Sequence, residues 1–260
     1  MAGTIHFVAD AGVANVTLQS AGKLNAVSVA MWQELRRLFE ALAADESVRC
    51  IVIRGAGGNF AAGADLDEFA QVHHDQPSGR RFHLEVVVPS LAAIRDVPQP
   101  VMAAIEGVCA GGGLQIALAC DLRIASENAR LGIPVGRLGL AVVLPELRLL
   151  VERLGQAVTA ELLLTGRLVD AREAAAKGLV SRAVPAAEFD QQVAETAQAI
   201  AAGSPLAARR NKAQIRRLVE CGMDYTAHDL DASFDFLDSA DYREGMAAFL
   251  AKRHPNFTGK

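Results

Sequence analysis

The sequence predicts an α/β fold built from repeated strand-strand-helix units and closed by a mostly helical C-terminal part. Three observations carry this expectation. Short continuous apolar runs, RCIVIR at 49–54 and VMAAI at 101–105, read as strands buried on both faces. Each runs into a loop of glycine and alanine that opens onto a helical pattern. From Pro145 onward the apolar spacing is that of helices, interrupted only by Val180–Val184. Hydrophobic residues make up 51% of the 260 positions and charged residues 22%, enough for a large core and too apolar for a disordered chain.

Taken in order, Ile5 and Phe7, then Val13, Val16 and Leu18, form two short strands around the turn Asp10-Ala11-Gly12. Ser28 is an N-cap for a helix whose apolar stripe is Met31, Trp32, Leu35, Leu38, Phe39 and Leu42. The strand at 49–54 passes through the loop Gly55–Gly63 into a helix-prone stretch that reaches Arg95. The strand at 101–105 leads through Gly107–Gly113 into a short helix, Leu114–Ala119, with further strands at Asp121–Ala125 and Leu131–Ile133. Helices are expected at 145–154, 157–164, 171–177, 187–202, 206–220 and 226–252. No Pro-, Gly- or Ser-rich linker divides the chain. Residues 1–195 are expected to form the core, and 196–260 a helical region packed on it or on a neighbouring subunit.

Composition excludes several classes. A formal charge of −4 opposes the basic footprint of a nucleic-acid binder. No apolar run reaches the roughly 18 residues of a membrane span, and MAGTIHFVAD opens as a strand rather than as a secretory leader. Cys50, Cys109, Cys120 and Cys221 lie far apart with no CxxC pair, as reduced thiols of a cytoplasmic protein would. The phosphate-binding loop, the GxSxG elbow and HExxH are missing. Gly55-Ala56-Gly57-Gly58 begins like a dinucleotide fingerprint, but Phe60 stands where its third glycine belongs. His73-His74-Asp75 has no second cluster to complete a metal site and reads as a solvated loop. Arg209, Arg210, Lys212, Arg216 and Arg217 read as a solvated helix face.

The informative segments are the two small-residue loops, Asn59–Leu66 and Glu106–Gln115, each following a buried strand. Glycine permits special dihedrals and close approach of a ligand. A loop that opens a helix presents unpaired N–H groups, and two of these converging on one oxygen make an oxyanion hole. Tight helix–strand packing also demands small residues; the recurrence of the pattern in two loops favours the ligand-binding reading.

With these loops the chain resembles the crotonase, or enoyl-CoA hydratase/isomerase, superfamily. The resemblance is carried by Lys23-Leu24-Asn25-Ala26, FAAGADL at 60–66 and AAIEGVCAGGGLQIALACDLRIAS at 103–126. It continues through LTGRLVDAREAAAKGLVSRAV at 164–184 and EGMAAFLAKRHPNF at 244–257. It implies an α/β crotonase-like spiral of ββα units with a C-terminal helical trimerisation region, in trimers or hexamers. The implied ligand is an acyl-CoA thioester, with coenzyme A as part of the substrate, no separate cofactor and no metal. Ala64 and Gly112 take the positions of the two backbone N–H donors that hold the thioester oxygen. Lys23, Ala26, Ala62, Asp65 and Leu66 fall on the CoA path, and Phe249 and Lys252 in the last helix are further candidates for CoA contacts.

The catalytic positions depart from the family. Its hydratases use two glutamates, and the matching positions here are Gln115 and Val135, the latter following Gly132-Ile133-Pro134. Where some relatives place an aspartate stands Val143, and Val142-Val143-Leu144-Pro145 replaces a glycine-rich turn. Glutamine does not exchange a proton near neutral pH and valine never does, so ordinary hydration is unsupported, whereas backbone donors survive such substitutions. Three readings follow. The first is an enzyme whose acid/base has moved to Glu85, His83, Asp67, Glu68 or Glu146. The second is a non-catalytic acyl-CoA binding protein with an apolar tunnel at Val135, Val142 and Val143. The third is an oligomeric scaffold without a ligand.

Overall fold

The protein is seen as a computed structural model that describes residues 3–222 and 224–260. Strands β1 (Thr4–Asp10) and β2 (Val13–Gln19) form an antiparallel hairpin in which Asp10 pairs with Val13. The turn residues Ala11 and Gly12 have φ of +47° and +80°, a left-handed pair whose twist matches the flanking strands. β3 (Cys50–Gly55) and β4 (Val101–Ile105) add in parallel, buried along almost their whole length. Two strands escape the sequence reading: β5 (Val108–Ala110), and β8 (Val169–Asp170), which follows β6 (Leu122–Ser126) and β7 (Arg130–Gly132). With β9 (Arg182–Val184) the main sheet runs β1-β2-β3-β4-β6-β9, parallel from β2 onward, and β5-β7-β8 make a smaller second sheet.

α1 (Val29–Ala43) is capped by the Ser28 hydroxyl, which accepts from the Met31 N–H, and it buries the six expected apolar residues. It packs against α4 (Val88–Asp96) over the sheet. The helix-prone stretch up to Arg95 consists of α2 (Leu66–Val72), α3 (Gln76–Arg81), a π-helical turn at Phe82–Val87, and α4. Asp75 causes one of the breaks by capping α3, its side chain accepting from the Ser78 N–H. α5 (Gly112–Ala119) is buried at almost every position.

α6 (Leu144–Thr165) is interrupted at Gly155, φ +74°, where the helical periodicity lapses. α7 (Ala171–Ala176) leads to β9, and α8 (Phe189–Ala202) covers the far face of the main sheet. There Phe189, Val193, Ala197 and Ala201 join Cys50, Val52, Met102 and Ile124 in a second core. The boundary expected at residue 195 falls inside α8, which keeps burying residues against the sheet to its end.

α9 (Pro205–Cys221) corrects the reading of its basic face. Lys212 is nearly buried and pairs with Asp121 at 2.7 Å, while Arg216 pairs with Asp96 and Arg217 with Asp229. These groups hold the helix down rather than solvate it. The single helix expected over 226–252 is α10 (Ala227–Ala232), a 3-10 turn at Asp235–Asp238 and α11 (Ala240–Leu250). Serine hydroxyls cause the interruptions. Ser233 bonds the Leu230 carbonyl, and Ser239 accepts from Tyr242 as the cap of α11. Cys50, Cys109 and Cys120 are free and buried, and burial pushes the Cys50 and Cys120 thiols up to about 12; the side chain of Cys221 lies outside the described residues.

Candidate active site

The two small-residue loops meet. Phe60, fully buried, anchors the first, and its N–H reaches the Glu106 and Val108 carbonyls of the second. Ala61 and Cys109 form a parallel bridge, with Ala61 N–H donating to Val108 and Ala110 N–H donating to Ala61. A third segment fastens the pair. Leu24 and Asn25 sit in the left-handed region, and the Asn25 amide donates to the Ala56 and Asn59 carbonyls while its Oδ1 accepts from Ser20 N–H. The sharp bend at Lys23–Ala26 thereby packs Ala26 against the first loop, where Ala62 N–H bonds Leu24.

Ala64 lies opposite the start of α5. A parallel bridge to Val27 consumes the Gly63 carbonyl and the Asp65 N–H on either side of it. The Ala64 N–H has no acceptor within the chain among the described residues, and neither has that of Gly112, the first residue of α5. The strand-like bonding around Ala64 and the helix start at Gly112 both leave such a group unpaired. Gly63, φ +112°, lets the segments touch: a carbon built on it would lie 3.5 Å from the Gly112 nitrogen, and one built on Gly112 would lie 3.8 Å from the Ala64 nitrogen.

Both residues line a cavity of about 530 Å³. Lys23, Ala26, Ala62, Asp65 and Leu66 line it too, as do Gln115 and Val135. Phe249 and Lys252 do not. They stand at the exposed end of α11, with Phe249 78% exposed. Lys23 is held by carboxylates, its ammonium 2.7 Å from Asp65 and 2.8 Å from Asp67. The hydrogen bond from Lys23 holds the Asp65 carboxyl below its ordinary range, and Asp65 also caps α2 by accepting from the Asp67 N–H.

Of the five relocated acid/base candidates, the structure brings two together. Glu146, in the first turn of α6 and buried, accepts from the Gln115 amide at 2.8 Å and faces His83 Nδ1 at 2.5 Å. Glu68 instead accepts from the Val29 N–H at the start of α1, Asp67 is tied to Lys23, and Glu85 is exposed and outside the cavity lining. His73 was missed. It leaves the expected solvated loop to stack on Phe69 at 4.5 Å between ring centroids, and its Nε2 lies 3.2 Å from His83 Nε2. Burial and the neighbouring His83 hold its pKa below the ordinary imidazole value. His74 is exposed beside Asp75, and no group of three or more potential metal ligands occurs among the described residues. Val142 lines the cavity with Val135, whereas Val143 is the residue preceding α6 and is not part of the lining.

A sequence model of the enoyl-CoA hydratase/isomerase family matches residues 8–260. An Arabidopsis thaliana protein named "Probable enoyl-CoA hydratase 2, mitochondrial" is 37% identical over 252 residues, covering 96% of this chain and 83% of the relative. The crystal structure of an enoyl-CoA hydratase/carnithine racemase from Magnetospirillum magneticum is 42% identical with a TM-score of 0.95, over 98% of this chain and 96% of that one. An enoyl-CoA hydratase of Bacillus anthracis is 29% identical with a TM-score of 0.88, covering 99% of both chains.

Proposed function

The chain belongs to the enoyl-CoA hydratase/isomerase family, and from that premise we propose that its cavity binds an acyl-CoA thioester and polarises the carbonyl between the Ala64 and Gly112 N–H groups. The observation that carries this reading is the pair of unspent backbone donors converging on one cavity. A carbonyl oxygen gains charge as its thioester becomes an enolate, so fixed donors at that point favour the enolate more than the ground state. Lys23, Ala26, Ala62, Asp65 and Leu66 would then flank the CoA portion. Phe249 and Lys252, on the outer end of α11, would serve the CoA of a neighbouring copy in a trimer, within a cytoplasmic protein.

Two-glutamate hydration finds no support, since Gln115 spends its amide on Glu146 and Val135 offers only methyl groups. A carrier without chemistry would need no buried histidine–carboxylate contact, and the His83–Glu146 pair therefore favours an enzyme over a carrier.

The test compares butyryl-CoA with its thioether analogue S-butyl-CoA by calorimetry. Two hydrogen bonds to the carbonyl are worth about 1 kcal/mol each, so the thioester is expected to bind at least about tenfold tighter than the thioether. Equal binding of the two would overturn the oxyanion assignment, and binding of neither would overturn the CoA reading.

A further inference from the structure

One end of the cavity is closed by a hydrogen-bonded chain of four side chains, Gln115, Glu146, His83 and His73. The last link holds down a lightly packed element. α2 buries none of its own residues, and Phe69 and Val72 are only partly covered where they meet the core. Side chains at its two ends hold it instead. At the first end Asp65 and Asp67 grip the Lys23 ammonium, and Glu68 accepts from the Val29 N–H. At the other, His73 closes the helix, stacks on Phe69 and meets His83 Nε2 at 3.2 Å. An element with little buried apolar area opens locally before the rest of its fold does.

The contact between the two imidazoles can be counted in protons. Ionised Glu146 only accepts, so His83 keeps a proton on Nδ1. When His83 is neutral its Nε2 is a lone pair, and His73 donates to it from its own Nε2. One added proton makes His83 an imidazolium that donates from Nε2, to a His73 whose proton then sits on Nδ1. The bond survives in both states. A second added proton sets two N–H groups and two positive charges against each other, and no tautomer restores the bond. Burial, and then the neighbouring His83, hold the His73 pKa below the ordinary imidazole value, against a smaller opposing pull from Glu146. The remaining charges nearby are turned to solvent. His74 and Asp75 are exposed beside each other, as are Arg80 and Arg81 on α3 and Glu85 in the π turn, and Gln115 on α5 is uncharged. The bare Cα of Gly79 makes room for the ring, since a carbon built there would lie 3.0 Å from His73 Nε2.

We infer that α2 and the π turn form a lid over the cavity, latched by the bond between His73 and His83 and released in acid when both rings are protonated. The open lid leaves His73 free to take up the proton that the closed lid resists. The latch is therefore at full strength above the ordinary imidazole pKa of about 6.5 and is lost as pH falls below it. Leu66, Asp67, Phe69 and His73 line the cavity from this side, so opening exposes the interior and lets a bound molecule leave. The lid acts on whatever ligand the cavity takes and does not rest on the acyl-CoA reading.

The experiment follows amide hydrogen exchange of the intact, ligand-free protein between pH 7 and pH 5, corrected for the intrinsic chemical rate. Exchange within residues 66–72 and 82–87 is expected to rise about tenfold or more on acidification, with α1 unchanged. His73→Gln, which keeps a neutral donor and acceptor, should hold both segments within about threefold over the same range. A flat wild-type profile, or the same rise in His73→Gln, would overturn the inference. If His73→Gln does not fold, the imidazole nitrogen resonances of the wild type decide. Titration of the His73 ring must then share its midpoint with the opening, and separate midpoints overturn the latch. Butyryl-CoA can be followed through Trp32, the single tryptophan and part of the cavity lining. It should leave faster at pH 5 than at pH 7 in the wild type, and at equal rates in His73→Gln; equal rates in the wild type count against the latch. Should butyryl-CoA bind at neither pH, the acyl-CoA reading falls and the exchange data alone judge the latch.

Discussion

At Gly113 the demand for glycine comes from contact rather than from backbone angle, because a carbon built there would lie 2.2 Å from the Ala61 carbonyl oxygen. Gly113→Ala must push α5 off the first loop and should destabilise the protein by about 2 kcal/mol or more in urea denaturation. Gln115→Glu tests another contact. It would set a second carboxylate at the 2.8 Å contact with Glu146, where both cannot ionise together, so the pair must share a proton. A carboxyl pKa raised by folding gives stability that is present at low pH and lost as pH rises through the raised value. The variant should match wild type near pH 5 and be less stable near pH 8 in urea titrations, and a pH-independent difference would mean the two side chains do not meet. Ala64 and Gly112 were legible in the sequence as residues of one cavity, because the small-residue loops that carry them stand out from their surroundings. His73 was not, because its neighbours in the chain are polar and its burial comes from Phe69 and Gly79. The partners of Glu146 lie 31 and 63 positions away, beyond the reach of any local pattern.

Among the elements, α2 and the bend before α1 are joined through Lys23 and Asp65. Because Asp65 is held below its ordinary range by Lys23, the stabilisation is present above the usual carboxylate range and fades as pH falls through the lowered value. Lys23→Met should therefore lower Tm at pH 7, with the difference from wild type narrowing as pH falls below the ordinary carboxylate range. For α9 the anchor is Lys212, whose pKa burial holds below the ordinary lysine value and whose ammonium meets Asp121. Lys212→Ala strands the aspartate and should cost about 3 kcal/mol, whereas Lys212→Met with Asp121→Asn should recover most of it in chemical denaturation. Periodicity and the Ser28 cap located the start and the buried stripe of α1, because one face alone is buried. It failed on β5 and β8, which are too short to show a period, and on α10 and α11, where serine hydroxyls decide the breaks. The basic face of α9 was misread because its counter-charges, Asp96, Asp121 and Asp229, lie on other segments.

For the whole molecule, the spiral of strands and helices serves to bring two loops, separated in sequence by a helical wall, to one point. The wall formed by α2, α3 and the π turn closes the cavity with His73, Phe82 and His83, and α6 adds Glu146 from the other side. The family and the general fold were readable from motifs that span the chain, because they depend on small residues at fixed positions. At Gln115 and Val135 the sequence shows only the loss of two carboxylates, and the contact between His83 and the buried Glu146 becomes visible in the fold alone. The central claim is that Ala64 and Gly112 polarise a thioester carbonyl, and the most direct measurement is the absorption spectrum of a conjugated aryl-acrylyl-CoA on binding. The account predicts a shift to longer wavelength that is lost in Gly112→Pro, which lacks the donor. Saturable binding with an unshifted spectrum would contradict it.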